Sequence, residues 1–155
     1  MTDRADLDGA AAPGPDVVVE PVADPAPSLW RYLYTEVGRP HHWVDRLAWT
    51  DAEIASYLAD PALELWGLRV GGEIAGYFEL RACADASVEI AYFGLLPAFI
   101  GRGLGKFLLT RAVERAWELG PTRIWLHTSS LDHSSALPNY LARGFRVWKQ
   151  EIYEV

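Results

Sequence analysis

A glycine-rich turn is the part of the sequence whose residue types and spacing most clearly predict chemistry. Residues 101–106 read Gly-Arg-Gly-Leu-Gly-Lys and follow an apolar segment that runs into Pro97. We expect this turn to open a helix, whose first N–H groups have no partner within the helix and carry the positive end of its dipole. Because glycine has no side chain to keep an anion away from these donors, the turn predicts a phosphate or pyrophosphate site.

The spacing of the turn excludes two familiar phosphate-binding motifs. The P-loop requires a glycine, four residues and then Gly-Lys followed by serine or threonine, whereas Ile100 and Phe107 occupy its first and last positions here. The dinucleotide motif Gly-x-Gly-x-x-Gly also fails, since its third glycine would fall on Lys106 or Leu108. A tight turn without a ligand is the alternative interpretation of these glycines.

The composition indicates a folded domain of ordinary size with a negative net charge. Half of the 155 residues are hydrophobic and the net charge is −7, which argues against nucleic acid and anionic membranes as partners and is compatible with a cationic small molecule. The single cysteine, Cys83, excludes an internal disulfide. The chain has no apolar run of membrane-spanning length and no secretory signal at its polar N-terminus, so we expect a cytoplasmic location.

The periodicity of hydrophobic residues predicts an α+β domain after a short tail. Residues 1–15 are rich in Ala, Pro, Gly and Asp and read as a flexible tail, and residues 16–155 form one domain. Strands are predicted over residues 16–22, 63–70, 73–83, 88–96, 123–128 and 145–155, with Gly71-Gly72 as a tight hairpin turn. Helices are predicted over residues 29–37, 40–49, 50–58 and 134–143, and from the glycine turn to Gly120.

This order of elements, together with the turn, resembles the GNAT acetyltransferase superfamily. The turn is similar to the family's acyl-CoA signature, Gln/Arg-x-x-Gly-x-Gly/Ala: Gly103 and Gly105 match the two small positions, Arg102 lies where a basic residue is common, and Ile100 replaces the usual Gln or Arg. The resemblance implies one GNAT domain over residues 16–155, with a mixed, mostly antiparallel central sheet of about six to seven strands flanked by helices.

A second segment, residues 131–145, carries the same resemblance. It is similar to the family pattern Asn-x-x-Ala-x-x-x-Tyr-x-x-x-Gly-Phe, and the four residues that match in register are Ala136, Tyr140, Gly144 and Phe145. His133 stands where asparagine is usual, so the family's amide contact near the pantetheine is replaced here by an imidazole. Two segments in the correct order support the resemblance much more strongly than either alone.

The resemblance implies acetyl-CoA as the acyl donor and no metal. The CoA pyrophosphate is expected on N–H groups of the turn, with the Arg102 and Lys106 side chains as charge partners. The residues expected to bind acetyl-CoA are Leu95, Leu96, Gly101, Arg102, Gly103, Leu104, Gly105, Lys106, His133 and Tyr140. The four histidines contain no i, i+4 pair and have no clustered thiolates, so no metal site is predicted, and His127, within a predicted strand, is given a structural role.

Three catalytic roles follow from the resemblance and from the chemistry of amide synthesis. An alkyl amine is largely protonated at neutral pH and needs a base; Glu89 is the first candidate and Glu79 the second, either of them directly or through a water, while a solvated strand glutamate is the alternative. Tyr140 would protonate the leaving CoA sulfur, its alternative role being a core aromatic residue. The backbone N–H of Leu95 would stabilise the oxyanion.

The sequence indicates the acceptor side of the site less clearly. By resemblance, the first helices and their connection line this side, and the pocket candidates are His41, His42, Trp43 and Glu79. An aromatic wall there could hold an amine by cation–π attraction. Trp30 and Tyr34 share a helix face, so we assign both to the core.

The predicted function is transfer of an acetyl group from acetyl-CoA to an amine of a small molecule or protein, by direct attack in a ternary complex. The departures at Ile100 and His133 leave a non-catalytic acyl-CoA-binding regulator as the alternative. A plain interaction domain with a structural glycine turn is a third hypothesis. The acceptor and the oligomeric state do not follow from the sequence, and a homodimer is left open.

Overall fold

Five strands form one sheet in the computed structural model, which describes residues 1–41, 43–129 and 131–151. They are β1 (Val17–Pro21), β2 (Leu63–Val70), β3 (Glu73–Ala82), β4 (Ser87–Leu95) and β5 (Arg123–Leu126). Their order across the sheet is the order in the chain; β1 to β4 pair antiparallel, and β5 pairs with β4 in parallel. The predicted α+β class and mostly antiparallel sheet are therefore confirmed.

Helices cover both faces of the sheet. They are α1 (Pro27–Gly38), α2 (Asp51–Leu58), α3 (Leu104–Glu118) and α4 (Ala136–Ala142), with short 3-10 turns at Arg4–Asp6, Arg39–His41 and Pro97–Phe99. The central strand β3 is buried at every position from Ala75 to Leu80, which requires cover on both faces because successive side chains alternate. On α3, the apolar stripe formed by Leu104, Leu108, Ala112 and Ala116 is buried.

The predicted sheet of about six to seven strands is wrong for the described part of the chain, which contains five. The expected sixth strand, residues 145–155, is absent over residues 145–151, and residues 152–155 lie outside the described residues. The physical reason lies at the edge of β5 that faces away from β4. There Met1 and Ile124 exchange two backbone hydrogen bonds of 2.9 Å each. The edge groups that a further strand would use at Ile124 are thus already paired.

The helix predicted over residues 40–49 is also wrong. Beyond Arg39–His41 the described part of this segment forms turns, with Trp49 N–H donating to the Arg46 carbonyl at 3.2 Å. The backbone N–H of Arg46 donates to the Tyr34 hydroxyl at 3.2 Å, instead of closing a helical turn. A tertiary hydrogen bond has replaced the local one. The following helix begins as predicted, because Glu53 N–H donates to the Thr50 hydroxyl, which caps the helix.

The first ten residues contact the domain at several points. Asp8 N–H donates to the Arg143 carbonyl and Ala10 N–H to the Thr110 hydroxyl, each at 2.9 Å. A Cβ at Gly144, whose φ is +109°, would overlap the Asp6 carbonyl, so this segment runs close to the end of α4. The flexibility of residues 1–15 and the domain boundary at residue 16 stay predictions.

Candidate active site

The site forms where β4 separates from β5. The two strands pair at four positions, of which Ile90 opposite Leu126 is the last, and β4 then continues to Leu95 paired with β3 but no longer with β5. The register of β3 and β4 shifts at the same level, opposite Glu79 and Leu80, which indicates a β-bulge in β4. A cavity of about 600 Å³ lies in the resulting opening.

Most of the predicted catalytic and acceptor residues line this cavity. Those on its wall are His41, Trp43, Glu89, Leu95, Gly105, His133 and Tyr140. Those that are not on its wall are Glu79, Leu96, Gly101, Arg102, Gly103, Leu104 and Lys106. His42 lies outside the described residues. Side chains from α4, β4 and the segment after α1 are therefore brought together, while most of the glycine turn lies beyond the cavity wall.

Tyr140 projects from α4 onto the cavity wall with a ring held by other aromatic residues. It is 7% exposed and makes edge contacts with Phe93 at 6.1 Å and Phe145 at 6.4 Å between ring centroids. Burial, with a smaller contribution from the Asp132 carboxylate, raises the pKa of the Tyr140 hydroxyl above its ordinary value. The hydroxyl consequently carries its proton at neutral pH, as a proton donor must.

The backbone N–H of Leu95 faces the opening. Leu96 N–H donates to the Ala75 carbonyl of β3 at 2.8 Å, and neighbouring N–H groups along a strand point to opposite edges. The N–H of Leu95 therefore points away from β3, toward the side on which β5 has already separated. A backbone donor directed into a cavity is the geometry that stabilises an oxyanion.

The glycine turn adopts the backbone conformation that its composition predicts. Gly101 and Gly103 have φ of +88° and +75°, in the left-handed region, and Gly103 caps α3 without a side-chain hydrogen bond. A Cβ at Gly101 would meet no atom within 4 Å, so the space before the helix is open. The Arg102 guanidinium lies over the Phe99 ring at 5.1 Å. Neither glycine carries a side chain that could cover the first N–H groups of α3, which have no partner within the helix.

Glu89 is paired with a residue to which we gave a structural role. His127 Nδ1 lies 3.3 Å from Glu89 Oε2, and both side chains line the cavity. The predicted strand over residues 123–128 ends at Leu126 instead, so His127 follows the strand and its side chain is 78% exposed. Pairing with β4 stops there because the two strands diverge.

Glu79 is fully buried and is held by two partners. The Tyr57 hydroxyl donates to Glu79 Oε1 at 2.6 Å, and Arg46 Nη1 donates to its two oxygens at 3.2 and 3.4 Å. Burial raises the pKa of the Glu79 carboxyl, while Arg46 and Tyr57 act in the opposite direction. Because its oxygens are engaged away from the cavity wall, Glu79 is a poorer base candidate than Glu89.

The Arg46 guanidinium occupies an aromatic cage, which we define as the rings of Trp30, Trp49, Tyr57 and Tyr92. Its central carbon lies 4.1 Å from the Tyr92 centroid and 4.4 Å from that of Tyr57, with both tryptophan rings within 5.5 Å. The Arg46 side chain is 11% exposed. Cation–π attraction and the Glu79 carboxylate together offset the loss of water around this charge.

Aromatic side chains form one wall of the cavity, which we call the aromatic wall. Trp43 and Tyr92 meet edge to face at 5.0 Å, and Tyr34 meets Tyr92 at 5.4 Å between centroids. His41 approaches His133 at 6.0 Å. Trp30 and Tyr34 are 1% exposed, which confirms their assignment to the core, although Tyr34 also reaches the cavity wall.

Several residues of the site escaped sequence reasoning. Arg46 and Tyr92 belong to no motif. The abundance of aromatic residues around them in the sequence was the only feature that could have indicated a role in the site. Ending the predicted strand at Leu126 would have drawn attention to His127, which follows the strand and lines the cavity. In the described ranges there is no group of three or more His, Cys, Asp or Glu side chains that could hold a metal ion. Nor does this part of the chain contain a helix long and apolar enough to cross a membrane.

Comparison with known proteins identifies relatives of the chain. Residues 27–145 match the family model described as the acetyltransferase (GNAT) family. An uncharacterized N-acetyltransferase of Mycobacterium tuberculosis is 31% identical over 98 residues, which are 63% of this chain and 62% of that protein. A mycothiol acetyltransferase of Corynebacterium efficiens is 29% identical over 109 residues, 70% of this chain and 36% of that protein. The matched regions thus span less than two thirds of both relatives.

A solved structure shares the fold at low sequence identity. An aminoglycoside acetyltransferase from an uncultured soil metagenomic sample, in complex with sisomicin, matches with a TM-score of 0.72 and 14% identity. The match covers 90% of this chain and 95% of that one.

Proposed function

Because the chain belongs to the GNAT acetyltransferase family, we propose that it transfers an acetyl group from acetyl-CoA to an amine within a ternary complex. The observation that supports this most is the meeting of Tyr140, the Leu95 N–H and the Glu89–His127 pair at one cavity, beside the open N-terminus of α3. An acid, an oxyanion donor and a base are the three groups that amide synthesis from a thioester requires.

The glycine turn and the strand opening fit the two ends of the donor. The N–H groups that begin α3, near Gly103, would bind the CoA pyrophosphate. The side chains of Arg102 and Lys106 would act as its charge partners. The thioester would lie in the opening next to Leu95 and Tyr140. Leu96 would contribute only through its side chain, since its N–H is bonded within the sheet.

Replacing Gly103 with alanine is expected to weaken CoA binding by about tenfold. A non-glycine residue at a φ of +75° costs about 1–2 kcal/mol, and relaxation of the turn would redirect the N–H groups that open α3. The matched control is Gly72→Ala, which carries the same backbone strain at φ +84° in the β2–β3 hairpin, away from the cavity. Calorimetric titration with CoA should give a Kd near wild type for the control; equal Kd values for both variants would contradict the assignment.

The proposed reaction uses the cavity groups in one direct attack. The neutral amine attacks the thioester carbonyl carbon, a C–N bond forms and the carbonyl oxygen becomes an anion that the Leu95 N–H stabilises. The C–S bond then breaks, the Tyr140 hydroxyl gives its proton to the CoA sulfur, and the amine loses its remaining extra proton to the base of the site. Tyr140 regains its proton from water.

The acceptor side fits a cationic amine. The carboxylates of Asp45, Glu89 and Asp132 line the cavity together with the aromatic wall, and the chain carries a net charge of −7. Carboxylates and aromatic faces both attract ammonium groups. The soil enzyme with the same fold was solved with the aminoglycoside sisomicin, so amine-bearing small molecules are the first class to test.

Release of CoA thiol from acetyl-CoA in the presence of sisomicin, spermidine and lysine amide tests the proposal. Turnover with at least one amine supports it. Tight CoA binding without turnover would favour the non-catalytic regulator. A melting temperature unchanged by millimolar CoA would favour an interaction domain, because any ligand that binds only the native state raises it. A cytoplasmic location, a homodimer, and the absence of nucleic acid and membrane partners stay predictions.

A further inference from the structure

His127 is a titratable side chain on the cavity wall to which the sequence analysis gave only a structural role. It is the first residue after β5, and its side chain is 78% exposed. The ring of Trp125 meets it edge to face at 5.1 Å between centroids, so the imidazole is supported on one side and open on the other. A supported ring at a cavity wall is well placed to meet a ligand.

The contact with Glu89 gives this imidazole a defined orientation. Glu89 Oε2 lies 3.3 Å from Nδ1, and Glu89 is itself fixed in β4, opposite Trp125 on one side and Arg81 on the other. Its side chain is 17% exposed, so most of it is packed against other residues. When Nδ1 carries the proton and donates a hydrogen bond to a carboxylate, Nε2 is the unprotonated, basic nitrogen and points away from that carboxylate.

We propose that His127 Nε2 is the general base of the reaction and that Glu89 is a positioning residue that holds and stabilises the imidazolium. This inference rests on the proposed acetyl transfer. The chemical consequence of using an imidazole in place of the Glu89 carboxylate is a stronger base, since the ordinary pKa of an imidazole in water is about two units higher than that of a carboxylate. A protonated amine therefore gives up its proton to an imidazole more readily.

The proton balance is simple. The ammonium form of the acceptor loses one proton to Nε2, which returns it to water, and the neutral amine attacks the thioester. After the C–N bond forms and the C–S bond breaks, the nitrogen loses a second proton to Nε2, and the sulfur receives one from Tyr140. The products are an N-acetyl amide and free CoA thiol, and no redox partner is needed.

Several other charged or titratable groups line the same cavity as His127. Glu89 from β4 and Arg81 from β3 lie on the sheet side of the cavity. The segment before α4 contributes Asp132 and His133, and the segment after α1 contributes His41, Asp45 and Arg46. A pH profile of the wild type alone therefore reports several groups, and the comparison with variants isolates His127.

The test is kcat against pH for wild type, His127→Gln and Glu89→Gln, measured as CoA release with acetyl-CoA and sisomicin, spermidine or lysine amide. We expect His127→Gln to lower kcat about 10²-fold at neutral pH, with little change in the KM for acetyl-CoA. The deficit should shrink as the pH approaches the pKa of the amine, because the acceptor is then already neutral and no longer needs a base before it attacks. Added imidazole should partly restore His127→Ala. A merely structural role would give neither recovery.

Controls separate the failure of this inference from that of the proposed function. Glu20→Gln removes a carboxylate from an exposed strand ion pair with Arg69, and should leave the profile unchanged. Wild-type turnover with an equal rate and profile in His127→Gln would overturn the inference alone. No wild-type turnover with any of the three amines would overturn the proposed function and this inference with it. Imidazole ¹⁵N spectra in which Glu89→Ala, which removes the acceptor for Nδ1–H, leaves the His127 tautomer unchanged would also overturn it.

Discussion

Replacing Tyr140 with phenylalanine is expected to lower kcat by about 10²-fold or more, since a positioned general acid contributes about 10²–10⁴-fold. Phenylalanine keeps the ring that packs against Phe93 and Phe145 and removes only the hydroxyl. Because the loss falls on the departure of the CoA thiolate, the KM for acetyl-CoA should change by less than about threefold. Steady-state assay of CoA release measures both constants.

The matched control for this variant is Tyr32→Phe. Tyr32 belongs to α1, is about half exposed and is not on the cavity wall, so its loss of a hydroxyl should leave kcat unchanged. A Tyr140→Phe enzyme as fast as this control at every pH would remove Tyr140 from the acid role. Its aromatic packing in the core would then be its only function.

Replacing Arg46 with alanine is expected to lower the free energy of unfolding by about 3–5 kcal/mol, the typical effect of breaking a buried ion pair. Glu79 is 0% exposed and would be left charged without the guanidinium that now lies 3.2 Å away. The aromatic cage would lose the cation that fills it, and the segment after α1 would lose its anchor. Urea unfolding followed by tryptophan fluorescence measures the change.

Two variants make this expectation specific. Arg31→Ala removes an arginine from the exposed pair with Asp51, and should cost less than about 1 kcal/mol. Glu79→Gln in the Arg46→Ala background should recover part of the stability, because it removes the unpaired buried charge. If Arg46→Ala were no more destabilising than Arg31→Ala, the cage would not be a stabilising element.

The parts of the fold that depend on local chemistry could be predicted from the sequence. Gly71 and Gly72 form the hairpin turn with positive φ at both residues, and Thr50 caps α2 as its spacing to Glu53 requires. The glycine turn opens α3 because glycines tolerate the left-handed conformation that Gly103 adopts. In each case the residues that determine the structure are neighbours in the chain.

The errors arose where distant residues decide the structure. The segment around Arg46 has a helical pattern, but its backbone and guanidinium are bound by Tyr34, Tyr57 and Glu79, which lie elsewhere in the chain. The strand expected at the C-terminus depends on a free edge of β5, which Met1 pairs at Ile124. Neither long-range contact leaves a periodic signal in the sequence.

The residues of the candidate site also divide into those that a sequence pattern could predict and those whose position depends on distant parts of the chain. Tyr140 was predicted from its register in the family motif and Leu95 from the geometry that the resemblance implies, and both line the cavity. His127 was given a structural role because the strand was extended by two residues, past the point at which β4 and β5 diverge. The place where two parallel strands separate is a property of the sheet, so a single strand's pattern cannot locate it.

Transfer of the acetyl carbon itself tests the central claim most directly. Acetyl-CoA labelled with ¹³C in the acetyl group would be incubated with the protein and sisomicin, spermidine or lysine amide, and the amine products analysed by mass spectrometry, with Tyr140→Phe in parallel. We predict a labelled N-acetyl amide that forms with the wild type and about 10²-fold more slowly with the variant. Labelled acetate, or no product with any of these amines, would contradict an amine acetyltransferase.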